Sequence, residues 1–262
     1  MSDFDPARVE ADLRAQSTGL GLPLVFVRET ESTNDDAKQA ARAGAPEGAA
    51  FVADAQTRGR GRRGHAWHSP AGENLYVSFV LRPNLPVAST PPLSLVAGLA
   101  VVDAASRYVP AEKLRIKWPN DVYLDGRKLA GILVEGLTAG DRCSAVIVGI
   151  GLNVHTRAFP EPIADTATSL ALLAHRPLDR SEIFVALCGA LEARMREHLE
   201  HGIAHTVRAL ASLDYLAGKT VSIDGISGVA QGITPDGRLL VRTRDGEERA
   251  FVAGEVTLGL VR

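Results

Sequence analysis

The chain has 262 residues, of which 45% are hydrophobic and 23% charged, a composition typical of a folded globular protein. This length predicts one main domain with a small additional unit. The net charge of -2 excludes a generally basic nucleic-acid-binding protein, so any anion-binding site must be a local feature.

The first half of the chain alternates between helix and strand patterns. In chain order it predicts a helix at residues 5–20, a strand at 24–27, a helix at 33–44, a strand at 50–53, a loop at 55–72, a strand at 74–82, a connection at 83–92, a helix at 93–108 and strands at 114–117 and 129–135. Thr33 or Asn34 can cap the second helix. The Asp125-Gly126 pair predicts a hairpin turn between the last two strands.

The second half of the chain predicts two kinds of structure, which meet near Gly218. Before this residue it predicts a strand at residues 145–150, an amphipathic helix at 179–201 and another helix that ends near 216. Five short strands, separated by turns, then follow at residues 220–223, 229–233, 239–242, 249–252 and 256–260. We therefore predict an α+β fold, with a mixed β-sheet and packed helices over residues 1–216 and a small SH3-like β-barrel over residues 217–262.

Three features bear on the cellular compartment. Cys143 and Cys188 stand singly in apolar surroundings and predict buried thiols in a reducing environment. Residues 1–5 are acidic and carry no apolar segment of signal-peptide length. The most apolar stretch, residues 93–102, is shorter than the ~20 residues that span a bilayer. We expect a cytoplasmic protein that does not bind membranes.

The loop at residues 55–72, here called the arginine-glycine loop, carries the sequence QTRGRGRRG at residues 56–64. Glycines allow the backbone to approach a ligand closely, and guanidinium groups match the oxygens of phosphates and carboxylates. The loop predicts an anion-binding lid. A solvated basic loop and an RNA-binding arginine-glycine tract are the alternatives.

Three further segments carry polar groups that could line a cleft. One is KWPND at residues 117–121 with GRKLAGILVE at 126–135, where Lys117 ends a strand and Pro119 interrupts the strand pairing, which would aim Asn120 and Asp121 into a cleft. The second is ESTN at residues 31–34, a helix N-terminus with free amide donors. The third is GIGLNV at residues 149–154, where glycines permit close approach. Each segment alone is compatible with a surface hairpin, a helix cap or a plain strand end.

Taken together, these segments resemble the biotin–protein ligase family in order and spacing, over residues 24–170 and again over 215–262. The family's DNA-binding members carry a winged helix-turn-helix ahead of the Ser-Thr-Asn segment. Only about 22 residues precede the first strand here, so the resemblance is to the short form and implies no DNA partner. It also implies the class II synthetase-like fold of biotin and lipoate ligases.

The resemblance assigns roles to residues of this chain. It implies that biotin is bound by Ser32, Thr33, Asn34, Gln56, Arg60, Gly61, Arg62 and Lys128. It implies that ATP is bound by Arg60, Arg62, Trp67, Lys117, Asn120, Lys128 and Asn153. It makes Arg60, Arg62, Asp121 and Lys128 the catalytic residues, and Mg²⁺ the companion of ATP without assigned ligands. His65 departs from the arginine or lysine that many members carry, which puts one phosphate contact in doubt.

The implied reaction has two steps. Biotin carboxylate attacks the α-phosphate of ATP to give biotinyl-5'-adenylate, and the lysine amine of a biotin carboxyl carrier domain then takes the biotinyl group. Cationic residues are needed to bring the anions together, and Asp121 is the candidate to orient the amine. A lipoate–protein ligase, a non-enzymatic RNA-binding protein and a biotin-sensing repressor are the rival interpretations.

Overall fold

The computed structural model describes residues 3–140 and 142–259, and the predicted end of the last strand at Leu260 lies outside them. A seven-stranded sheet with the order β1-β2-β3-β7-β6-β5-β4 forms the centre. Its strands are β1 (Leu24–Thr30), β2 (Ala50–Gln56), β3 (Leu75–Leu81), β4 (Leu114–Lys117), β5 (Asp121–Leu124), β6 (Arg127–Ala139) and β7 (Arg142–Leu152). β1 and β2 are parallel and the other neighbours are antiparallel, so the predicted mixed sheet is confirmed.

The described residues form five α-helices around this sheet. They are α1 (Pro6–Ala15), α2 (Thr33–Arg42), α3 (Leu93–Ala105), α4 (Arg180–His201) and α5 (Ile203–Leu210). α1 is shorter than predicted because Ser17 adopts a left-handed backbone with φ 54°, which ends the helix. α5 also ends early, because Leu213 and Tyr215 hydrogen-bond to Ile116 and extend the sheet beside β4.

The two faces of the sheet have different coverings. α3 and α4 pack against each other beneath one face, and nearly every residue of α3 is buried. α2 lies on the opposite face, against β2, β3 and β7. β3 is therefore buried along its whole length, on both the predicted apolar face and the face that carries Tyr76 and Ser78.

The predicted hairpin at Asp125-Gly126 exists, but its partners were wrongly assigned. The turn joins β5 to β6, and β5 lies between β6 and β4. β5 was missed because its four residues follow Pro119 so closely that no alternation can be recognised. Lys117 and Asp121 are register partners at the start of the β4–β5 turn.

The C-terminal unit consists of five antiparallel strands in the order β11-β10-β9-β8-β12. They are β8 (Thr220–Ile223), β9 (Ile226–Ile233), β10 (Leu239–Thr243), β11 (Glu248–Phe251) and β12 (Val256–Leu258). The predicted SH3-like unit is confirmed, while the domain boundary after residue 216 stays a prediction. The buried Trp118 indole donates a hydrogen bond of 3.0 Å to the Gly237 carbonyl and ties the unit to the main domain.

One stretch within the described residues, Val87–Ala105, which includes α3, is long and apolar enough to cross a membrane, and 67% of its most apolar 18-residue window is buried inside the molecule. Its apolar side chains form the centre of the core. Cys143 and Cys188 are free and buried, as predicted, and burial raises the pKa of the Cys188 thiol. The cytoplasmic location stays a prediction.

A buried arginine joins the start of the chain to the sheet. Arg180, 1% exposed, pairs with Asp3 and with Asp54 at 2.9 Å, and donates to the Asn74 carbonyl at 3.0 Å. Burial raises the pKa of Asp3, but hydrogen bonds from Arg180 and His155 outweigh this effect and lower it. The charge on Arg180 is thus matched by two carboxylates within the fold.

We expect Arg180→Met to lower the free energy of unfolding by about 3–5 kcal/mol, because it leaves two carboxylates without their buried partner. Arg14→Met, which removes an exposed pair with Glu10, should cost less than about 1 kcal/mol. Urea denaturation of both variants measures the difference. Equal midpoints would show that the Arg180 pairs contribute nothing to stability.

Candidate active site

The N-terminus of α2 forms the polar floor of a cleft. Ser32 is the N-cap, in place of the predicted Thr33 or Asn34, and its side chain makes no capping hydrogen bond. All three residues are buried, with 3–5% of their surfaces exposed. The Thr33 amide and hydroxyl donate to Gln56 Oε1 at 3.0 and 3.3 Å, so the predicted residues Thr33 and Gln56 are in direct contact.

Two residues that hold the floor residues in place were not predicted. The Ser78 hydroxyl donates to Asn34 Oδ1 at 2.6 Å and lies 2.8 Å from Thr33 Oγ1. Glu135 accepts from Asn34 Nδ2 at 2.8 Å and also pairs with Lys38. These contacts fix the orientation of the Asn34 amide, because its oxygen faces a donor and its nitrogen an acceptor.

Signals for both residues were present in the sequence. Ser78 is the single small polar side chain in the apolar strand LYVSFVL, and Glu135 ends the apolar run KLAGILVE. A polar group in a fully buried strand needs a partner, and this need distinguishes it from a surface residue.

The arginine-glycine loop folds as a short hairpin over the cleft. Arg60 and Ala66 form an antiparallel β-bridge through their backbones. The Gly61 amide donates to the His65 carbonyl at 2.7 Å, and the Trp67 amide donates to the Gly59 carbonyl at 2.8 Å. A 3₁₀ turn at Arg62–Gly64 forms the tip, where Arg63 adopts φ 55°. The segment predicted as an aperiodic loop thus has a defined backbone.

The arginines of this hairpin make different contacts. Arg62 is half-buried and donates to Asn120 Oδ1 at 3.3 Å, while burial, together with the neighbouring Arg63, lowers its pKa. The Arg60 guanidinium pairs with the Asp35 carboxylate in α2.

The outer edge of the hairpin contacts the C-terminal unit. Arg63 lies 3.2 Å from Asp224, and His65 Nε2 lies 3.7 Å from Glu255. His65, which replaces the arginine or lysine of many family members, therefore lies close to a carboxylate of the C-terminal unit.

Trp67 packs against β6 and β7 at two glycines, where no side chain projects from the strand. A Cβ atom added to Gly151 would lie 2.4 Å from the Trp67 indole, and one added to Gly131 would lie 3.0 Å away. Trp67 Nε1 is buried and has no hydrogen-bond acceptor in the part of the chain that the structure describes. Leaving such a donor unpaired costs about 1–3 kcal/mol, so the position favours a ligand that supplies an acceptor.

The far wall of the cleft is cationic. Lys128 Nζ lies 2.8 Å from Asp121 Oδ1 and 5.5 Å from the centre of the Trp67 ring. Burial lowers the pKa of Lys117, an effect that nearby Asp121 opposes and Lys128 reinforces. Lys128 thus pairs with Asp121, while Lys117 is influenced by the charges of both Asp121 and Glu255. The two lysines and the arginines of the loop favour an anionic ligand.

Asn153 lies at the end of β7, 4% exposed. Its side-chain nitrogen donates to the Thr168 carbonyl at 2.9 Å, and its amide donates to the Leu129 carbonyl at 3.0 Å. Asn153 therefore holds the segment around residue 168 against the cleft.

One cleft of about 580 Å³ brings together every residue that the sequence assigned to the site. Those residues are Ser32, Thr33, Asn34, Gln56, Arg60, Gly61, Arg62, Trp67, Lys117, Asn120, Asp121, Lys128 and Asn153. The C-terminal unit adds Glu255 and Thr257 to the wall. The arrangement has a neutral polar floor at one end and cationic groups at the other, which suits a ligand with a polar head and an anionic reacting group.

Comparisons with known proteins agree on one family. Residues 26–153 match the sequence profile described as the biotin/lipoate A/B protein ligase family, and residues 219–259 match the biotin protein ligase C terminal domain. The chain is 38% identical to the biotin–[acetyl-CoA-carboxylase] ligase of Mycobacterium tuberculosis, with 98% of each chain covered. It is 35% identical to the bifunctional ligase/repressor BirA of Bacillus subtilis, over 92% of this chain and 75% of that one.

A solved structure gives the same result. The biotin protein ligase from Aquifex aeolicus in complex with biotin and ATP superimposes with a TM-score of 0.75 at 31% identity, covering 90% of this chain and 97% of that one.

We expect Gly151→Ala to displace Trp67, because the added methyl group would overlap the indole. Overpacking of this kind costs about 1–3 kcal/mol, and movement of Trp67 into water would shift its fluorescence to longer wavelength. Trp118 stays buried in either case. Gly189→Ala in α4, where nothing lies within 4 Å of the added atom, is the matched control. Unchanged emission in Gly151→Ala would contradict the packing of Trp67 on this glycine.

Proposed function

The chain belongs to the biotin protein ligases of the biotin/lipoate A/B protein ligase family, and we propose that it uses ATP to convert biotin into biotinyl-5'-adenylate and then biotinylates a carrier-domain lysine. The observation that carries the proposal is the single cleft in which the neutral floor and the cationic wall face one another. A ring held at the floor would place its carboxylate near Lys128 and the arginine-glycine loop.

The floor suits the ureido group of biotin. Ser32, Thr33 and Asn34 present hydroxyl and amide groups in a buried setting, and Gln56 is oriented by Ser69 at 3.0 Å. These groups also bond to one another, but a polar ring can use their remaining donor and acceptor capacity, whereas an apolar ring cannot. This is our reason for preferring biotin to lipoate, whose dithiolane ring offers no N–H donor.

In the first step, a carboxylate oxygen of biotin attacks the α-phosphorus of ATP, and the bond to the bridging oxygen of pyrophosphate breaks. Both reactants are anions, so catalysis consists of positioning and charge neutralisation. Arg60, Arg62 and Lys128 supply that charge in our proposal, with Gly61 close to the biotin chain. Trp67, Lys117, Asn120 and Asn153 surround the nucleotide.

Mg²⁺ would neutralise part of the phosphate charge. The described residues contain no cluster of three or more His, Cys, Asp or Glu side chains that could hold a metal ion. Within the cleft, the carboxylates are Asp121 and Glu255. A magnesium ion would therefore be held mainly by nucleotide oxygens and water, and either of these two carboxylates could contribute an oxygen ligand.

In the second step, the acceptor amine attacks the acyl carbon, AMP leaves, and one proton must be removed from the nitrogen. Asp121 pairs with Lys128 in the ligand-free protein. When Lys128 turns to the adenylate phosphate, Asp121 becomes available to orient the amine and take its proton. The acceptor we propose is the biotin carboxyl carrier domain of a carboxylase, consistent with the name of the Mycobacterium tuberculosis relative.

The test is incubation of the purified protein with ATP, Mg²⁺ and either biotin or lipoate. We expect pyrophosphate release and biotinyl-adenylate with biotin, and label transfer when a carrier domain is added. Adenylate formation with lipoate alone would make the protein a lipoate ligase, and no adenylate with either acid would refute the proposed activity.

We also expect Lys128→Met and Asp121→Asn to separate the two steps. Loss of a charge-stabilising group typically slows a reaction about 10²–10³-fold, so Lys128→Met should slow adenylate formation by that factor. Asp121→Asn should slow transfer from purified adenylate by about 10²-fold or more, since it removes the proton acceptor.

Lys113→Met, which removes an exposed partner of Asp125, is the control and should leave both rates unchanged. Single-turnover assays of each step decide the matter. Transfer by Asp121→Asn at the wild-type rate would remove Asp121 from the second step.

A further inference from the structure

We propose that Asp35 is a positioning residue that holds Arg60, and through it the arginine-glycine loop, closed over the cleft. Asp35 lies in the first turn of α2, directly after the floor residues Ser32, Thr33 and Asn34. Its carboxylate pairs with the Arg60 guanidinium. One helix end thus contacts the ligand pocket and the lid at once. The consequence for catalysis rests on the proposed function, but the contact itself does not.

Asp35 is held in place by further charges. Lys38 Nζ lies 3.5 Å from the Asp35 carboxylate, one turn along the same helix face. Lys38 also pairs with Glu135, which accepts from the Asn34 amide at 2.8 Å. The chain of contacts therefore runs from the pocket floor through Glu135 and Lys38 to Asp35, and then to the loop.

Arg60 is well placed to control the loop. Its backbone forms a β-bridge with Ala66 across the hairpin, and the carbonyl of the preceding residue, Gly59, accepts a hydrogen bond from the Trp67 amide. A side chain anchored at this position fixes the base of the hairpin, and with it Trp67 over the cleft. At the opposite edge, Arg63 contacts Asp224, so the loop is held from two sides.

The strength of this contact follows from its exposure. The side chains of Arg60 and Asp35 are 40% and 50% exposed, so water and salt screen their attraction. Exposed pairs of this kind change an equilibrium by at most about fivefold. We therefore expect a shift in the open fraction of the loop of about twofold to fivefold, not loss of the fold.

The chain offers a matched control in Asp36. Both Asp35 and Asp36 lie in the first turn of α2, so replacing either with asparagine removes the same favourable interaction with the helix dipole. Asp36 lines a separate groove beside β1. A difference between the two variants therefore reports the ion pairs of Asp35 with Arg60 and Lys38, of which only the pair with Arg60 reaches the loop. Asp35→Glu should restore the wild-type behaviour.

The first measurement uses trypsin on the ligand-free protein. Asp35→Asn should be cut after the arginines of the loop about two to five times faster than Asp36→Asn, and the ratio should fall toward one at ~1 M salt, where the Debye length is ~3 Å. The second measurement is the rate at which preformed biotinyl-adenylate leaves the protein, which should rise by a similar factor in Asp35→Asn alone.

The outcomes distinguish the two proposals. Equal cleavage of Asp35→Asn and Asp36→Asn would overturn the role of Asp35, even if both variants form adenylate normally. A wild-type protein that forms no adenylate would refute the proposed ligase activity, yet faster cleavage of Asp35→Asn would still establish the contact between Asp35 and the loop.

Discussion

The site depends on a steric constraint: Asn34 occupies space that is free only because residue 149 has no side chain. A Cβ atom at that position would lie 1.9 Å from Asn34 Oδ1. The close approach seats the first turn of α2 on the sheet, which brings Thr33 to Gln56 and Asp35 to the loop. Gly131 and Gly151, register partners on β6 and β7, leave the corresponding space for Trp67.

Much of this arrangement could be predicted from the sequence. The sequence assigned Lys117, Asn120 and Asp121 to one segment at the cleft, and the structure holds them close together through a tight turn between β4 and β5 that was not predicted. The glycines of the GIGLNV segment indicated close approach, and the structure shows which side chains approach them. The roles of these residues in binding and catalysis remain predictions, since contacts within the protein do not establish what it binds.

Other features could not be read from the sequence for physical reasons. β5 is too short for a period to be recognised, so its hairpin was given the wrong partner strand. The alternation of apolar residues in β3 identified only the face on which α3 and α4 pack. Ser78 lies on the other face, where it hydrogen-bonds to Asn34 of α2. The contact of Arg63 with Asp224 spans 161 residues of sequence, and no local pattern encodes such a distance.

The hydrogen bond between Trp118 and Gly237 has a consequence for the exchange of C-terminal units between such proteins by gene recombination. Trp118 stands between Lys117 and Asn120, so the residue that anchors the C-terminal unit belongs to the segment that lines the cleft. A recombination joint between residues 216 and 220 would keep every strand intact but replace the surface that receives the indole. An unpaired buried N–H costs about 1–3 kcal/mol, so the two parts of the gene are expected to be inherited together.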